Sequence, residues 1–256
     1  MPRPPSLTYA ACLLFAFPCL AQQIPAGTVL PVMMSTTIDS ARSKPGDRVK
    51  GKLMQNVVLP SGETIRSGAK LEGQVTQAAP GPNARVDIRF DKLTAARKEY
   101  VLRVRLRALA SMEEVFAAQL PVGTFDEYGT SISDWTTVQI GGAAVYLGDA
   151  TVRSGMEIVG RAPAYGEILA KLEPAPKRGC PAEAMAMSNE QALWLFSPWA
   201  CGIYGLDDLT IGRPNAETPF GTVVLTAPKA VRVRAGSGWL LEAVEPADLP
   251  RASATN

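Results

Sequence analysis

A chain of 256 residues without a single histidine has few routes to proton transfer at neutral pH. Ser-His-Asp and Cys-His nucleophile activation, imidazole acid–base work and most catalytic zinc sites all need that ring. What survives is Ser/Lys or paired-carboxylate chemistry. Ser67-Gly68-Ala69-Lys70 spells S-x-x-K, in which a lysine can take the proton of a serine nucleophile. That chemistry needs both side chains one turn apart on a helix, whereas Gly68 and its surroundings read as a β-turn. Asp126, Glu127, Asp134, Asp149 and the Asp207-Asp208 pair offer carboxylates for glycoside hydrolysis, and the last pair for calcium. None of them stands in a catalytic frame or a spaced ligand loop. Gly141-Gly142 lacks the Gly and Lys that follow in a phosphate loop. No catalytic residue, metal ligand or cofactor is expected, and the chain reads as a non-enzyme.

Two groups remain that could bind. Arg103, Arg105 and Arg107 occupy alternate positions of one predicted strand, a cationic stripe able to meet anionic glycan, lipid or a partner's carboxylates. The plainer reading of the same stripe is a solvated sheet face that discourages edge pairing. Trp194, Phe196, Trp199 and Tyr204 gather around Cys201 in the sequence. Aromatics so placed either stack on sugars, anchor a protein contact, or fill the core of a small subdomain. Lys plus Arg number 26 against 24 Asp plus Glu, a balance that supports neither a nucleic-acid footprint nor an acidic tail.

The N-terminus sets the expected compartment. Arg3 supplies a short positive region, residues 7–20 are mostly apolar, and Cys19-Leu20-Ala21 places small residues where a signal peptidase reads. Cleavage is expected after Ala21, with lipidation at Cys19 as the alternative. The run is shorter than the ~20 apolar residues of a membrane span, and no later stretch is long and apolar enough for a transmembrane helix. Of four cysteines, Cys12 and Cys19 leave with the signal peptide. Cys180 and Cys201 then form an even pair in an oxidising compartment, which reads as one disulfide. Its ~20-residue loop would contribute about 3 kcal/mol in the chain-entropy account.

Strands must position these residues, because the mature sequence is short apolar runs cut by Gly, Pro, Asp and Ser. Strands are predicted over 28–34, 48–59, 63–66 and 70–77, with turns at Lys44-Pro45-Gly46-Asp47, Ser61-Gly62 and Ser67-Gly68. Pro80-Gly81-Pro82-Asn83 is a loop. Val86, Ile88 and Phe90 alternate with Arg85, Asp87 and Arg89; Leu102, Val104 and Leu106 alternate with Val101 and the three stripe arginines. Period two with one polar face predicts an antiparallel sheet packed on one side and wet on the other. Met112, Val115, Phe116 and Leu120 recur at helical spacing, predicting a short helix over 111–119. Residues 192–196, behind a capping-box pattern at Ser188 and Gln191, read equally as strand or helix.

The fold class expected is mainly β, an antiparallel barrel- or sandwich-like domain with an inserted, disulfide-stapled subdomain. The divisions are a signal peptide at 1–21, the barrel-like domain at 22–120, a Gly/Pro-rich subdomain at 121–219, strands rejoining the first sheet at 220–246, and a disordered tail at 247–256. Ala26-Gly27-Thr28-Val29-Leu30-Pro31-Val32 is echoed by Ala235-Gly236-Ser237-Gly238-Trp239-Leu240-Leu241. The echo suits two strands that enter one sheet from opposite ends of the chain.

Ala26-Gly27-Thr28-Val29-Leu30-Pro31, Ile38-Asp39-Ser40 and Pro45-Gly46-Asp47 are followed by Leu59-Pro60-Ser61-Gly62-Glu63 and Ser67-Gly68-Ala69-Lys70-Leu71-Glu72-Gly73. In this order they resemble the barrel domain of the TrbI-like subunit of type IV secretion core complexes, over residues 24–107. The resemblance implies a β-barrel-like periplasmic domain that oligomerises in an envelope channel. The chain departs from that family in having no Pro-rich spacer after an inner-membrane helix and no antenna helix pair. Nearly the whole mature chain also resembles a group of uncharacterised exported proteins of acidobacteria, with a Trp-rich, two-Cys segment similar to 179–206. The function expected is that of an exported cell-envelope scaffold, in the periplasm or at the cell surface, with a protein partner or a second copy. A monomeric carbohydrate- or peptidoglycan-binding module is the alternative, and a hydrolase of unrecognised type the third reading.

Overall fold

The structure, a computed structural model, describes residues 22–119, 140, 145–147, 151–154, 157–161, 193–196, 200–215 and 217–245. The expected signal peptide, the tail at 247–256, Cys180, Trp199 and the Ser188–Gln191 pattern lie outside the described residues.

The chain opens with β1 (Gln22–Gln23), β2 (Val29–Met34), β3 (Ile38–Asp39), β4 (Arg48–Leu53), β5 (Val57–Val58), β6 (Thr64–Ile65) and β7 (Lys70–Ala79). Next come β8 (Ala84–Ala95), β9 (Lys98–Val101), β10 (Val104–Ala110) and the helix α1 (Met112–Gln119). A separate antiparallel meander is formed by β11 (Val145–Leu147), β12 (Thr151–Ser154) and β13 (Glu157–Arg161). The chain returns through β14 (Gly202–Tyr204), β15 (Thr210–Ile211), β16 (Thr222–Ala227), β17 (Arg232–Val233) and β18 (Gly238–Ala243).

The protein is mainly β. The large sheet runs β1-β9-β8-β7-β4-β2-β18-β10-β14, with β16 paired to β8 and β15 to β16. Most pairs are antiparallel, as the alternating patterns predict, but the sheet is mixed, because β1–β9 and β10–β14 are parallel. It curls but, among the described residues, does not close, since no ladder joins β14 to β15. Residues 205–209 run between those two strands, and Leu206 and Leu209 from this connection pack on the main core.

Local chemistry explains the elements. In β4, Val49, Gly51 and Leu53 are buried while Arg48, Lys50 and Lys52 are exposed, the period-two pattern of a one-sided strand. The turn before it has Pro45 to fix φ and Gly46 at φ 93°, closed by the Asp47 N–H to the Lys44 carbonyl at 3.0 Å. Gly73 is glycine for a different reason: a Cβ there would lie 2.4 Å from the Arg89 carbonyl oxygen, at a register shift between β7 and β8. The two echo segments lie side by side, with Trp239 opposite Val32 and Leu241 opposite Leu30 in the antiparallel β2–β18 pair.

Three details differ from the sequence-based expectation. The strand predicted over 48–59 ends at Leu53, where the Met54 N–H turns to the Pro31 carbonyl and buried Gln55 begins a crossing to β5. The strand predicted through 101–107 is two strands: Leu102 donates to Asp91 at the end of the β8 ladder, and the chain then leaves β8 to join β18. Asp87, assigned to the wet face, is only 3% exposed, because Arg85 covers it with a bidentate pair at 2.7 and 2.8 Å.

The main core lies within the curl. Trp239 is fully buried, edge-on to Phe90 with centroids 6.1 Å apart, and its indole N–H donates to Ser237 Oγ at 3.0 Å. Full burial of each such side chain stabilises the fold by roughly 1.5–3 kcal/mol. A smaller second core lies on the other side of β10 and β18. It joins Ala108, Ala110 and Leu240 to Val115 and Ala118 of α1 and to Phe196 and Tyr204. Both faces of β10 and β18 are therefore covered, and all of β18 is buried.

Candidate functional site

The predicted aromatic group separates on folding. Phe196 is fully buried and Tyr204 nearly so, both in the second core. The Tyr204 hydroxyl accepts the Cys201 N–H at 3.2 Å, and burial raises its pKa. Phe196 and Tyr204 are thus core residues, the last of the three readings their types allowed. Trp194 is half-buried, tilted against Phe196 at 6.4 Å between centroids, with its backbone at φ 59°. Its N–H donates to the side-chain carbonyl of Gln55, which ties the segment at 193–196 to the end of β4. A left-handed φ is rare for a bulky residue, and this tie helps hold it. Cys201 is fully buried and disulfide-bonded.

The arginine stripe is corrected by a β-bulge. The β10–β18 register shifts between Leu106 and Ala108, so Leu106 and Leu109 both enter the main core while Ala108 and Ala110 enter the second. Arg107 stands at the shift, 8% exposed, with Nε donating to the Ala200 carbonyl at 3.1 Å. Burial lowers its pKa, opposed by the charge of Glu242. Arg105 pairs across the ladder with Glu242 at 2.8 Å. Arg103 precedes β10 and donates to the Leu102 carbonyl. The three do not form one wet cationic face.

Other expected chemistry stays apart. Gly68 takes φ 83° in a turn between exposed Ser67 and exposed Lys70, so the S-x-x-K match lacks the helix it needs. Asp207 and Asp208 are exposed, and among the described residues no group of three or more His, Cys, Asp or Glu could hold a metal ion. Among the described residues, no helix is long and apolar enough to cross a membrane.

Three features are not evident in the sequence. On α1, Ser111 caps the helix by accepting the Glu114 N–H at 3.1 Å, and Val115 and Ala118 face the sheet. This orientation leaves Phe116 63% exposed and Met112 37% exposed, one turn apart. Helical spacing alone could not tell which of the four apolar positions would face out. Elsewhere, Glu63 accepts Lys98 Nζ at 2.5 Å and the Tyr100 hydroxyl at 2.7 Å, with a further side-chain hydrogen bond from Gln22. These partners hold Glu63 below the usual carboxylate range, while burial and then Glu63 itself push Tyr100 up to about 12. Finally, a cleft of about 290 Å³ lies where the β2–β3 and β3–β4 connections meet β7, with Thr36, Thr37, Ser43, Asp47 and Arg48 as its polar lining.

Among the described residues, the eight buried polar or charged side chains are all engaged. Ser40 accepts from Val231, Gln55 from Trp194 and Ser111 from Glu114; Asp87, Arg107 and Glu242 are paired as above; Thr222 donates to the Pro219 carbonyl and Ser237 accepts from Trp239. These are the partners that a stable buried polar group requires. No family model, curated protein or solved structure matches the chain.

Proposed function

We propose that this chain is an exported cell-envelope component that works by protein contact, as a scaffold or assembly subunit. The observation that carries the reading is the outer face of α1, where Phe116 and Met112 stand exposed while Val115 and Ala118 anchor the helix to the sheet. Large apolar side chains at one-turn spacing suit an interface anchor, and the acidic Glu113 beside them would supply a polar rim. The occupant is an envelope protein, either a different chain or a second copy. Export rests on the N-terminal pattern with cleavage after Ala21, and the staple of the region beyond α1 is the Cys180–Cys201 pair. The resemblance to the TrbI-like barrel domain adds association with a secretion channel to the same proposal.

The test has two readouts. Fractionation and intact-mass analysis of the protein from its own cells are expected to give an envelope species beginning at Gln22. Phe116→Ser is expected to abolish co-purification of the partner without lowering the melting temperature, since the side chain is mostly outside the core. A cytoplasmic chain still beginning at Met1 would overturn export; an unchanged partner complex in Phe116→Ser would overturn the role of α1.

A further inference from the structure

The cleft between the β2–β3 connection, the β3–β4 connection and β7 is a built polar site with no part in the second core or in α1. Three of its hydroxyls have their oxygens already used. Thr36 Oγ1 accepts the Lys50 N–H at 3.0 Å, Thr37 Oγ1 the Ala235 N–H at 3.1 Å, and Ser43 Oγ the Asp39 N–H at 3.2 Å. Each hydroxyl is thereby oriented by the backbone, and its own O–H remains to be donated. Asp47 Oδ2 accepts the Lys44 N–H at 2.8 Å, which leaves Oδ1 as an acceptor. Arg48 is exposed, and among the described residues its guanidinium makes no hydrogen bond or ion pair. The lining is completed by buried Ile38, Val49 and Val75.

This inventory selects a ligand class. Three O–H donors and a guanidinium against one carboxylate ask for a ligand rich in acceptor oxygens. Arg48 and Asp47 cancel in charge, which works against a dianion such as phosphate and favours a neutral molecule. Ile38, Val49 and Val75 offer an apolar surface suited to C–H groups. About 290 Å³ sits at the small end of ligand sites, room for one ring and not for a long chain. We infer that this cleft binds a neutral sugar residue, as a monosaccharide or as one unit of a glycan. Ring oxygens accept hydrogen bonds from Thr36, Thr37, Ser43 and Arg48, and one ring hydroxyl donates to Asp47. The site is independent of the α1 contact and of export, so either reading can fail alone.

The experiment is an amide NMR titration of the chain from Gln22 onward with N-acetylglucosamine, with glucose, and with inorganic phosphate in parallel. The expected result is saturable shifts at Thr36, Thr37, Ser43 and Asp47 with one of the sugars, in the millimolar range or tighter, and none with phosphate. Arg48→Gln and Asp47→Asn change exposed side chains, and the spectra themselves report whether each variant is folded. Each is expected to weaken sugar binding about tenfold or more, the loss that follows from removing a hydrogen bond to a charged group. Shifts with phosphate alone, no shift with either sugar, or unchanged affinity in both variants would overturn the assignment.

Discussion

Replacing Gly73 by alanine tests how the central ladder is built. The added Cβ would stand 2.4 Å from the Arg89 carbonyl oxygen, 2.8 Å from Phe90 Cα and 3.0 Å from a Phe90 ring carbon. The first two are backbone atoms, so no rotamer change relieves them. Ordinary contact begins near 3.4 Å, so β7 and β8 would have to part by about 1 Å at their register shift. Overpacking of this kind costs about 1–3 kcal/mol, and each ladder hydrogen bond stretched out of range adds roughly 1 kcal/mol. The reduced freedom of the unfolded chain returns at most about 1 kcal/mol. The expected net loss is about 3 kcal/mol, a fall of roughly 1 M or more in the urea midpoint at the usual slopes for this size. Gly212→Ala is the comparison, since the atoms nearest its Cβ would be side-chain carbons of Val224 and Thr226, not backbone; a loss of under about 1 kcal/mol is expected there. Equal midpoints for wild type and Gly73→Ala would refute the close approach of the two strands.

Further outcomes follow from other contacts. Tyr100 has its pKa raised from 10 to about 12 on folding, so the fold holds the neutral phenol. Its contribution is fully present below pH 10 and is lost as pH rises through about 12, at most about 2–3 kcal/mol. Urea midpoints of wild type and Tyr100→Phe should therefore converge over that window, and parallel curves would contradict the buried phenol. Glu63, held low, works in the opposite direction: what it contributes is present above its unfolded value and lost as pH falls, a loss that Glu63→Gln should abolish in acid melts. Arg107→Ala should cost about 2 kcal/mol by stranding the Ala200 carbonyl, whereas Arg48→Ala should stay within ~0.5 kcal/mol. Non-reducing peptide maps should join Cys180 to Cys201, and Cys201→Ser should lose about 3 kcal/mol.

Strand and turn chemistry was readable where local rules act alone. Lys44-Pro45-Gly46-Asp47 forms the turn its residues dictate, and the echo at 26–32 and 235–241 becomes the β2–β18 pair. The helix lies over Met112–Gln119, as its spacing predicts. What could not be read was register. A bulge at Arg107 inserts one residue into β10, which turns a regular alternation into a buried arginine. Likewise, period two cannot say that β10 and β18 are covered on both faces, because the covering residues, in α1, at 193–196 and at Ala200 and Tyr204, arrive from other parts of the sequence. The same limit hid the cleft. Thr36, Thr37 and Ser43 become oriented donors only because Lys50, Ala235 and Asp39 supply N–H groups, and Ala235 is far away in the chain.

The measurement that bears most directly on the proposed role is the native mass of the mature protein, extracted gently from its own envelope and compared with the recombinant chain. A large, membrane-associated species that collapses to a monomer in Phe116→Ser is the predicted result. A soluble monomer in both preparations, unaffected by the substitution, would contradict an assembly component and leave the polar cleft as the functional centre.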